Sequence, residues 1–510
     1  MKKFVSILLA LAMILALSTT AFAAENTNLT ISNSTGRTYN GYQLLNLTTS
    51  LKCEETHNHE TGCYNYAYTV NEDYEDILQA LAENAGEDDI IEFLAGKTSD
   101  ANGEYGTLRA VADSIYRAIL ADTSITPDAP NLDGSDTIAQ GYWLFADVTD
   151  LDDAEDKANS LVMVDTKGQD SLTITPKVGL PTLEKKVQDI ADSTDSDITD
   201  NAWQDSADHD IGDTVPFQIT VTMPENLAGY DTYQMIIHDT MSAGLTLDES
   251  SIVVTVDDEA TEAFVYEAGE NGKFTLTCEN VLAIEGVDKD SIIVVTYNAT
   301  LNEDAEIGAA GNPNTAYLEF SNNPYGTGTG ETEKDKVIVF TYQLTINKTN
   351  PNGDPLKGAT FTLYKWYQIA PATESTEATG EWRILGQLTG TDMTTFQWKG
   401  LDDGNYKLVE DDAPDGYNKM EDIEFTISAT HNETPDTLVL TSLTSDFGEV
   451  KKENGKLTGV IEEDIENNTG SILPETGAKG TIMLITFSSV AIMVAVVFMV
   501  TRKKMSIYED

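Results

Sequence analysis

The sequence predicts a mainly β protein made of tandem β-sandwich domains, with helical insertions in the N-terminal domain. Short alternating apolar segments, separated by turns rich in Gly, Asn and Asp, recur over residues 181–468. Apolar residues at helical spacing occur between residues 77 and 120. The chain between its two terminal apolar segments is about 450 residues long, a length typical of roughly three domains.

The N-terminal domain is predicted over residues 24–178. Apolar residues recur at helical spacing over residues 77–94 and 108–120. Strand-like stretches such as residues 29–31 and 141–145 flank these helices. The pattern therefore predicts a sheet domain that carries helical insertions.

Two further β-rich domains are predicted over residues 179–342 and 343–470. Segments such as 217–221 and 292–297 in the first, and 344–363 in the second, have the composition and alternation of strands. Turns rich in Gly, Asn and Asp separate them, which favours β-sandwiches in both cases.

The N-terminal residues 1–23 have the pattern of a signal peptide. A charged start is followed by an apolar stretch over residues 4–17 and a small-residue site, Ala21-Phe22-Ala23. The apolar stretch is short for a membrane span. We therefore expect cleavage near Ala23 and export of the chain.

The C-terminal segment 471–510 combines three features in order. A pentapeptide precedes a twenty-residue apolar run over residues 481–500, and a basic tail follows at residues 502–504. The run is long enough to span a bilayer, and the basic flank predicts a cytoplasmic tail. The pentapeptide is Leu473, Pro474, Glu475, Thr476 and Gly477.

The formal net charge is −56 at pH 7. Such a surface favours solubility and disfavours nucleic acid and anionic membranes as partners. Acidic clusters such as residues 192–200 lack EF-hand spacing, so solvated loops are expected there. No Ser/His/Asp constellation is present. We therefore expect neither a cofactor nor an enzymatic activity.

A compact group of cysteines and histidines lies within residues 53–63. Cys53, His57, His59 and Cys63 form a possible zinc ligand set, although the two histidines are closer in sequence than in zinc fingers. A Cys53–Cys63 disulfide is the alternative, and it suits an oxidising exterior. We favour the disulfide.

Strand alternation predicts that Lys348, Glu410 and Asn467 point inward in the C-terminal domain. Lys348 shares a face with the apolar residues that precede it, and the same holds for Glu410 and Asn467. A buried lysine and a buried glutamate are each costly unless they are paired. These residues are therefore expected to interact. In the middle domain, alternation likewise turns Lys185 and Asn322 inward.

The C-terminal segment resembles the LPxTG sorting signal of Gram-positive surface proteins. The resemblance implies that a sortase cysteine attacks the Thr476–Gly477 bond and that an amine then resolves the acyl-enzyme. The chain would be a substrate of this chemistry. Sortases of the pilus and housekeeping classes, and peptidoglycan, are the partners that the resemblance implies.

Residues 406–417, reading YKLVEDDAPDGY, are similar to the E-box of CnaB-type pilin domains. The resemblance implies immunoglobulin-like folds and an intramolecular isopeptide bond between Lys348 and Asn467, with Glu410 as the catalyst. Burial would leave the amine neutral and the acid protonated.

The middle domain resembles the CnaA type. This resemblance implies a second isopeptide bond, between Lys185 and Asn322, with Asp239 as the catalytic acid. The neighbours Lys186 and Asn323 are the competing choices. Like other crosslinks, such bonds would restrict the unfolded chain.

Lys177, in the sequence Thr175-Pro176-Lys177, lies between the first two predicted domains. Major pilins carry a Tyr-Pro-Lys-Asn-like motif at this place, from which this chain departs at Thr175 and Val178. The resemblance implies that Lys177 bonds to Thr476 of the next subunit in a head-to-tail polymer. Lys167 is the alternative amine.

These features together are similar to those of major, or backbone, pilins of sortase-assembled Gram-positive pili. The resemblance implies a structural shaft subunit, first held at the membrane and then fixed to the cell wall. Identical subunits would be its main partners, with minor pilins and host ligands as further candidates. The alternative is an adhesin or minor pilin that is anchored singly to the wall.

Overall fold

The computed structural model describes residues 22–23, 26–32, 36–51, 64–86, 88–97, 107–151, 158–175, 179–189, 203–370, 379–431 and 438–470. These residues form six sheets, arranged along the chain as three pairs. The mainly β fold class predicted from the sequence is confirmed, and the α-helices of the described residues all lie before residue 122.

The first pair of sheets, with its helices, forms the N-terminal domain. One sheet has the order β1-β3-β7-β8, with β4 and β5 also paired to β3, and the other has the order β6-β2-β9. The strands are β1 (Phe22–Ala23), β2 (Asn26–Ile31), β3 (Tyr39–Leu51), β4 (Tyr64–Val70), β5 (Ala129–Leu132), β6 (Ser135–Ala139), β7 (Gly141–Asp147), β8 (Leu161–Asp165) and β9 (Ser171–Ile174).

Three α-helices cover the larger of these sheets. They are α1 (Glu75–Asn84), α2 (Ile90–Ala95) and α3 (Thr107–Ala121), and a 3₁₀ turn, Glu72–Tyr74, precedes α1. The Asp89 side chain caps α2 by accepting hydrogen bonds from its first free backbone N–H groups. On α3, Ile115 and Ile119 are buried because they are one turn apart on the face toward the sheet.

The middle domain is a sandwich of two sheets, with orders β11-β10-β13-β19-β15-β16 and β12-β22-β20-β14-β18-β17, and β21 pairs with β20. Its strands are β10 (Thr182–Gln188), β11 (Trp203–Gln204), β12 (Ser206–Asp208), β13 (Thr214–Thr222), β14 (Met235–Met241), β15 (Leu245–Val256), β16 (Glu259–Ala260), β17 (Val265–Ala268), β18 (Lys273–Cys278), β19 (Ile292–Leu301), β20 (Asn312–Ser321), β21 (Thr329–Glu331) and β22 (Asp335–Phe340). Short 3₁₀ turns lie at Leu227–Gly229, Val281–Ala283 and Gly308–Ala310.

The C-terminal domain is a second sandwich, with sheet orders β26-β23-β31-β30 and β25-β24-β27-β28-β29. Its strands are β23 (Tyr342–Thr349), β24 (Thr360–Ala370), β25 (Thr379–Thr389), β26 (Thr395–Leu401), β27 (Gly404–Asp412), β28 (Ile423–His431), β29 (Leu440–Ser445), β30 (Glu449–Glu453) and β31 (Lys456–Glu466). In both sandwiches the inward residues of the strands alternate with outward ones, so a single apolar core lies between the sheets.

The first and last strands of the C-terminal domain lie side by side. β23 pairs in parallel with β31, with Lys348 opposite Ile465. Parallel neighbours at the two ends of a domain mean that a pull on its termini loads the contact between these strands. This pairing brings Lys348 close to the end of the last strand.

Several predicted features lie outside the described residues. They are the signal peptide up to Ala21, the Cys53 to Cys63 group, Lys177, and the whole C-terminal segment 471–510. Among the described residues, no helix is long and apolar enough to cross a membrane.

Candidate functional site

The first candidate site lies in the C-terminal domain, where three separate strands converge. Lys348 is on β23, Glu410 is on β27, and Asn467 follows the last residue of β31. The backbone N–H of Asn467 donates to the carbonyl of Thr349, at 3.0 Å, which continues the parallel pairing by one step. The alternation of these strands turns all three side chains into the sandwich, where each is almost fully buried.

Lys348 has a buried amine in an apolar setting. Its Nζ donates to the carbonyl of Ile465 at 2.7 Å. Burial lowers the pKa of the Lys348 amine to about 8, although the negative charges of Glu410 and Glu466 act in the opposite direction. About a tenth of the amine is therefore neutral at pH 7, far more than for an ordinary lysine, and a neutral amine is a nucleophile.

Glu410 holds the amide of Asn467. The Asn467 Nδ2 donates to Glu410 Oε1 at 2.7 Å, and the backbone N–H of Met420 donates to Oε2, also at 2.7 Å. The Oδ1 of Asn467 is buried and has no hydrogen-bond partner among the described residues. The carboxyl group thus contacts the nitrogen that would leave if an amine attacked the side-chain amide.

The second candidate site has the same ingredients in the middle domain. Lys185, on β10, is fully buried, and its Nζ lies 2.5 Å from Asp239 Oδ2 and 2.5 Å from the hydroxyl of Tyr297. Tyr297 also donates to Asp239 Oδ2 at 2.6 Å. Burial lowers the pKa of Lys185, against the opposing charge of Asp239. Burial and Asp239 raise the pKa of Tyr297 well above its usual range, so its hydroxyl stays protonated.

The structure corrects the choice of asparagine in the middle domain. Asn314, and not Asn322, adjoins the cluster, because its Nδ2 donates to Tyr297 Oη at 2.9 Å. Both Asn314 Oδ1 and Asp239 Oδ1 are buried without a hydrogen-bond partner among the described residues. This pair of atoms marks the place where an amide and an acid meet the buried amine.

Asn322 lies at the other end of the same strand. Asp239 is opposite Ala316 in the register of β14 and β20, and Asn322 is six residues further on, which corresponds to roughly 20 Å. Its backbone carbonyl accepts from Asn159 of the N-terminal domain, and its Nδ2 donates to Thr329. It therefore belongs to the contact with the N-terminal domain.

Alternation alone could not have shown which asparagine lies beside this cluster. Asn312, Asn314 and Asn322 all lie on the inward face of the β20 region, with even spacing between them. Only the register between β14 and β20, which a sequence does not display, distinguishes them. Tyr297 was also missed, because an inward tyrosine in an apolar strand has the pattern of an ordinary core residue.

The competing residues point elsewhere. Lys186 is on the outer face and forms ion pairs with Asp205, at 2.7 Å, and Glu184, at 2.9 Å. Asn323 Oδ1 accepts the backbone N–H of Tyr325, as in a turn. Lys185 therefore stands as the amine of this cluster.

Lys167 and Cys278 also lie among the described residues. Lys167, the alternative linking amine, is partly exposed and lies 3.8 Å from Asp165. Cys278 is a buried free cysteine within β18, where it packs in the core of the middle sandwich.

Comparisons with known proteins place these clusters in context. A family model described as SpaA, a prealbumin-like fold domain, matches residues 342–439. The trypsin-resistant surface T6 protein of Streptococcus pyogenes serotype M6 is 26% identical over an alignment of 404 residues that covers 65% of this chain and 70% of that protein. The solved structure of the T6 backbone pilin of the same serotype has a TM-score of 0.53 at 16% identity, and covers 89% of this chain and 100% of that one.

These comparisons agree with one another. The solved structure is described as a modular three-domain protein with variable loops and extensions, and three sheet pairs follow one another in this chain. The matched prealbumin-like domain contains Lys348 and Glu410 of the first cluster. The resemblance drawn from the sequence is confirmed: residues 342–439 match a SpaA domain, and the chain is similar to a streptococcal surface protein and, in its fold, to a backbone pilin.

Proposed function

We propose that this chain is the structural shaft subunit of a covalent cell-surface pilus, and not an enzyme. In this function Lys177 of one subunit is joined to Thr476 of the next by a sortase, and a terminal subunit is joined to peptidoglycan. The proposal rests on two buried clusters, each of which contains a lysine, an acid and an asparagine. Each brings a buried amine, an acid and a side-chain amide into one cluster, which supports a covalent bond within each domain.

In the C-terminal cluster the bond forms between Lys348 Nζ and Asn467 Cγ. The neutral amine attacks the amide carbon, the new C–N bond forms, and the original C–N bond breaks with loss of ammonia. Glu410 contacts Asn467 Nδ2, so it is placed to deliver a proton to the departing nitrogen. The proton released by the attacking amine restores the acid, and the reaction runs once.

In the middle domain the corresponding bond forms between Lys185 Nζ and Asn314 Cγ. Asp239 accepts the proton of the amine, and the Tyr297 hydroxyl connects all three groups through its hydrogen bonds. The Cγ–Nδ2 bond of Asn314 breaks, and the proton that Asp239 accepted leaves with this nitrogen as ammonia. The proposed Lys185–Asn314 bond joins β10 of one sheet to β20 of the other.

These bonds explain how the subunit would carry tension. The proposed Lys348–Asn467 bond fixes the first and last strands of the C-terminal domain to each other, so a pull along the chain passes through the crosslink. The enclosed sequence between these two residues cannot then extend under load. A crosslink that closes a loop on the order of 100 residues stabilises a fold by about 4–5 kcal/mol through its effect on the unfolded chain.

The first prediction distinguishes the two asparagines of the middle domain. Intact mass spectrometry of the full-length chain should show a deficit of two ammonia molecules relative to the sequence. Asn314→Ala should retain one of these deficits, while Asn322→Ala, the matched control on the same strand face, should retain both. If Asn322→Ala loses a deficit and Asn314→Ala does not, the assignment of the bond to Asn314 is wrong.

The stability of Asn467→Ala should depend on pH in a way that the stability of wild type does not. In Asn467→Ala the Lys348 amine stays free, with a pKa of about 8 when folded against 10.5 when unfolded. Between these values the unfolded chain binds more protons, so the free energy of unfolding rises with pH. Wild type, whose amine is consumed in an amide, lacks this contribution. Urea unfolding of both proteins across this pH range measures the difference, and parallel pH curves would contradict the proposed bond.

A further inference from the structure

A buried lysine lies at the contact between the middle and C-terminal domains. Lys365 is on β24, and both it and the two acids that it contacts are buried. Its Nζ lies 2.6 Å from Asp210 Oδ2 and 3.1 Å from Asp402 Oδ2. Asp210 follows β12 of the middle domain, and Asp402 follows β26 of the C-terminal domain. One amine therefore faces two carboxyl groups, and these come from different domains.

Backbone contacts between the two domains fix the position of the Asp210 carboxyl. The backbone N–H of Asp402 donates to Asp210 Oδ1 at 2.9 Å. The backbone N–H of Ile211 donates to the carbonyl of Gly400, also at 2.9 Å. Gly400 has a φ of +74°, and a side chain there would collide with Ile211, so the close approach of the two loops requires glycine. The Asp210 carboxyl is thus held with one oxygen toward a backbone N–H and the other toward the lysine.

The second acid is suited to hold a proton. Burial raises the pKa of Asp402 well above its usual range, against the positive charge of Lys365, and the carboxylates of Asp208 and Asp210 act in the same direction as burial. Two buried carboxylates beside one ammonium group are costly, because the ammonium compensates only one of the charges. Transfer of one proton from Lys365 to Asp402 relieves this excess and leaves a neutral amine in contact with Asp210. A neutral amine is a nucleophile.

We propose that Lys365 and Asp210 form an amide bond that joins the middle domain covalently to the C-terminal domain. The Lys365 nitrogen attacks Asp210 Cγ, and the backbone N–H of Asp402 stabilises the negative charge that develops on Oδ1. The bond between Cγ and Oδ2 then breaks. Of the three ammonium protons, one passes through the Asp402 carboxyl to Oδ2, a second follows to the same oxygen, and the third stays in the amide. Oδ2 leaves as water, and Asp402 is regenerated.

This bond goes beyond the proposed function, because it lies between domains and not within one. Its acyl group is an aspartate, so water leaves in place of ammonia. The amide also replaces a buried ion pair by a neutral group, which removes two buried charges. Bonds inside each sandwich leave the contact between the sandwiches open to separation under tension, whereas a bond from Lys365 to Asp210 makes this contact covalent. It forms within one chain and needs no sortase.

Peptide mapping of the purified full-length chain tests the proposal. The protein is unfolded in denaturant, digested with trypsin and analysed by tandem mass spectrometry. Trypsin places Asp210, Lys365 and Asp402 in three different peptides, because lysines or arginines lie between them in the sequence. Wild type should yield a branched peptide in which Lys365 is joined to Asp210 with loss of one water. The intact chain should show this water deficit in addition to its two ammonia deficits.

Variants identify the reacting groups. Lys365→Arg keeps a positive charge toward both aspartates but lacks the amine, so it should lose the branched peptide and the water deficit. Lys399→Arg, the matched control, makes the same change at an exposed lysine near the contact and should keep both. Asp210→Ala should lose the bond as Lys365→Arg does. The two ammonia deficits should persist in all three variants, which would show that both sandwiches still fold.

Two results would overturn the assignment. The first is a wild-type digest in which Lys365 and Asp210 occur only in linear peptides while both ammonia deficits are present; this would exclude the bond between domains and leave the proposed function intact. The second is a branched peptide that joins Lys365 to Asp402, which would place the bond inside the C-terminal domain. If Lys365→Arg does not fold, the digest of wild type decides by itself.

Discussion

Glu410→Ala should prevent the proposed covalent bond of the C-terminal domain from forming. The variant removes the group that contacts the departing nitrogen of Asn467, and it also removes one of the two carboxylates whose charge acts on the buried Lys348 amine. We expect its intact mass to show one ammonia deficit where wild type shows two. We also expect the domain to unfold more readily, by about 4–5 kcal/mol from the lost crosslink alone and by more from the cavity and the unpaired groups.

The companion variants separate chemistry from packing. Glu410→Gln keeps the size of the side chain but cannot exchange a proton, so it should lose the same ammonia deficit with a smaller loss of packing. Glu424→Ala removes an exposed glutamate from β28 and should keep both deficits. If Glu410→Ala still shows the deficit of two ammonia molecules, the catalytic role proposed for Glu410 is wrong.

Thr476→Ala should stop sorting at the cell surface. The proposed acyl-enzyme forms at the carbonyl of Thr476, and the motif that the sortase reads is broken by this change. We expect the chain to accumulate as a membrane-bound precursor, with a loss of the wall-linked form to background. Fractionation of the cells into membrane, wall and medium, followed by immunoblotting, measures this distribution.

The control for this experiment lies a few residues upstream. Thr469 is exposed and precedes the pentapeptide, so Thr469→Ala changes the same residue type outside the motif. It should be sorted as wild type is. Normal wall attachment of Thr476→Ala would refute the sorting role of this segment.

Much of the fold follows from local patterns in the sequence. The alternation along strands such as β13 and β27 predicts which residues point inward, because side chains of a strand alternate between its two faces. The same rule predicted the burial of Lys348, Glu410 and Asn467. Helical spacing also predicted the helices of the N-terminal domain, where Ile115 and Ile119 face the sheet.

Local patterns do not predict the register in which distant strands pair. Asn314 and Asn322 are equivalent in alternation, and only the pairing of β14 with β20 brings the first to Asp239. The role of the Tyr297 hydroxyl was also not predictable from local patterns, because its hydrogen-bond partners come from three other strands. The contact between the Asp210 side chain and the backbone of Asp402 was also not predicted, since these two residues are far apart in the chain and meet only when two domains pack together.

An immunoblot of cell-wall extracts in hot detergent tests the central claim most directly. Cells that express wild type should give a ladder of high-mass species, because the proposed links between subunits are covalent. Lys177→Ala should collapse this ladder to the monomer, while Lys167→Ala, the nearest alternative amine, should keep it. A ladder that persists in Lys177→Ala and is lost in Lys167→Ala would show that Lys167 is the residue that links the subunits. The absence of a ladder in wild type would contradict the shaft function and favour a singly anchored adhesin.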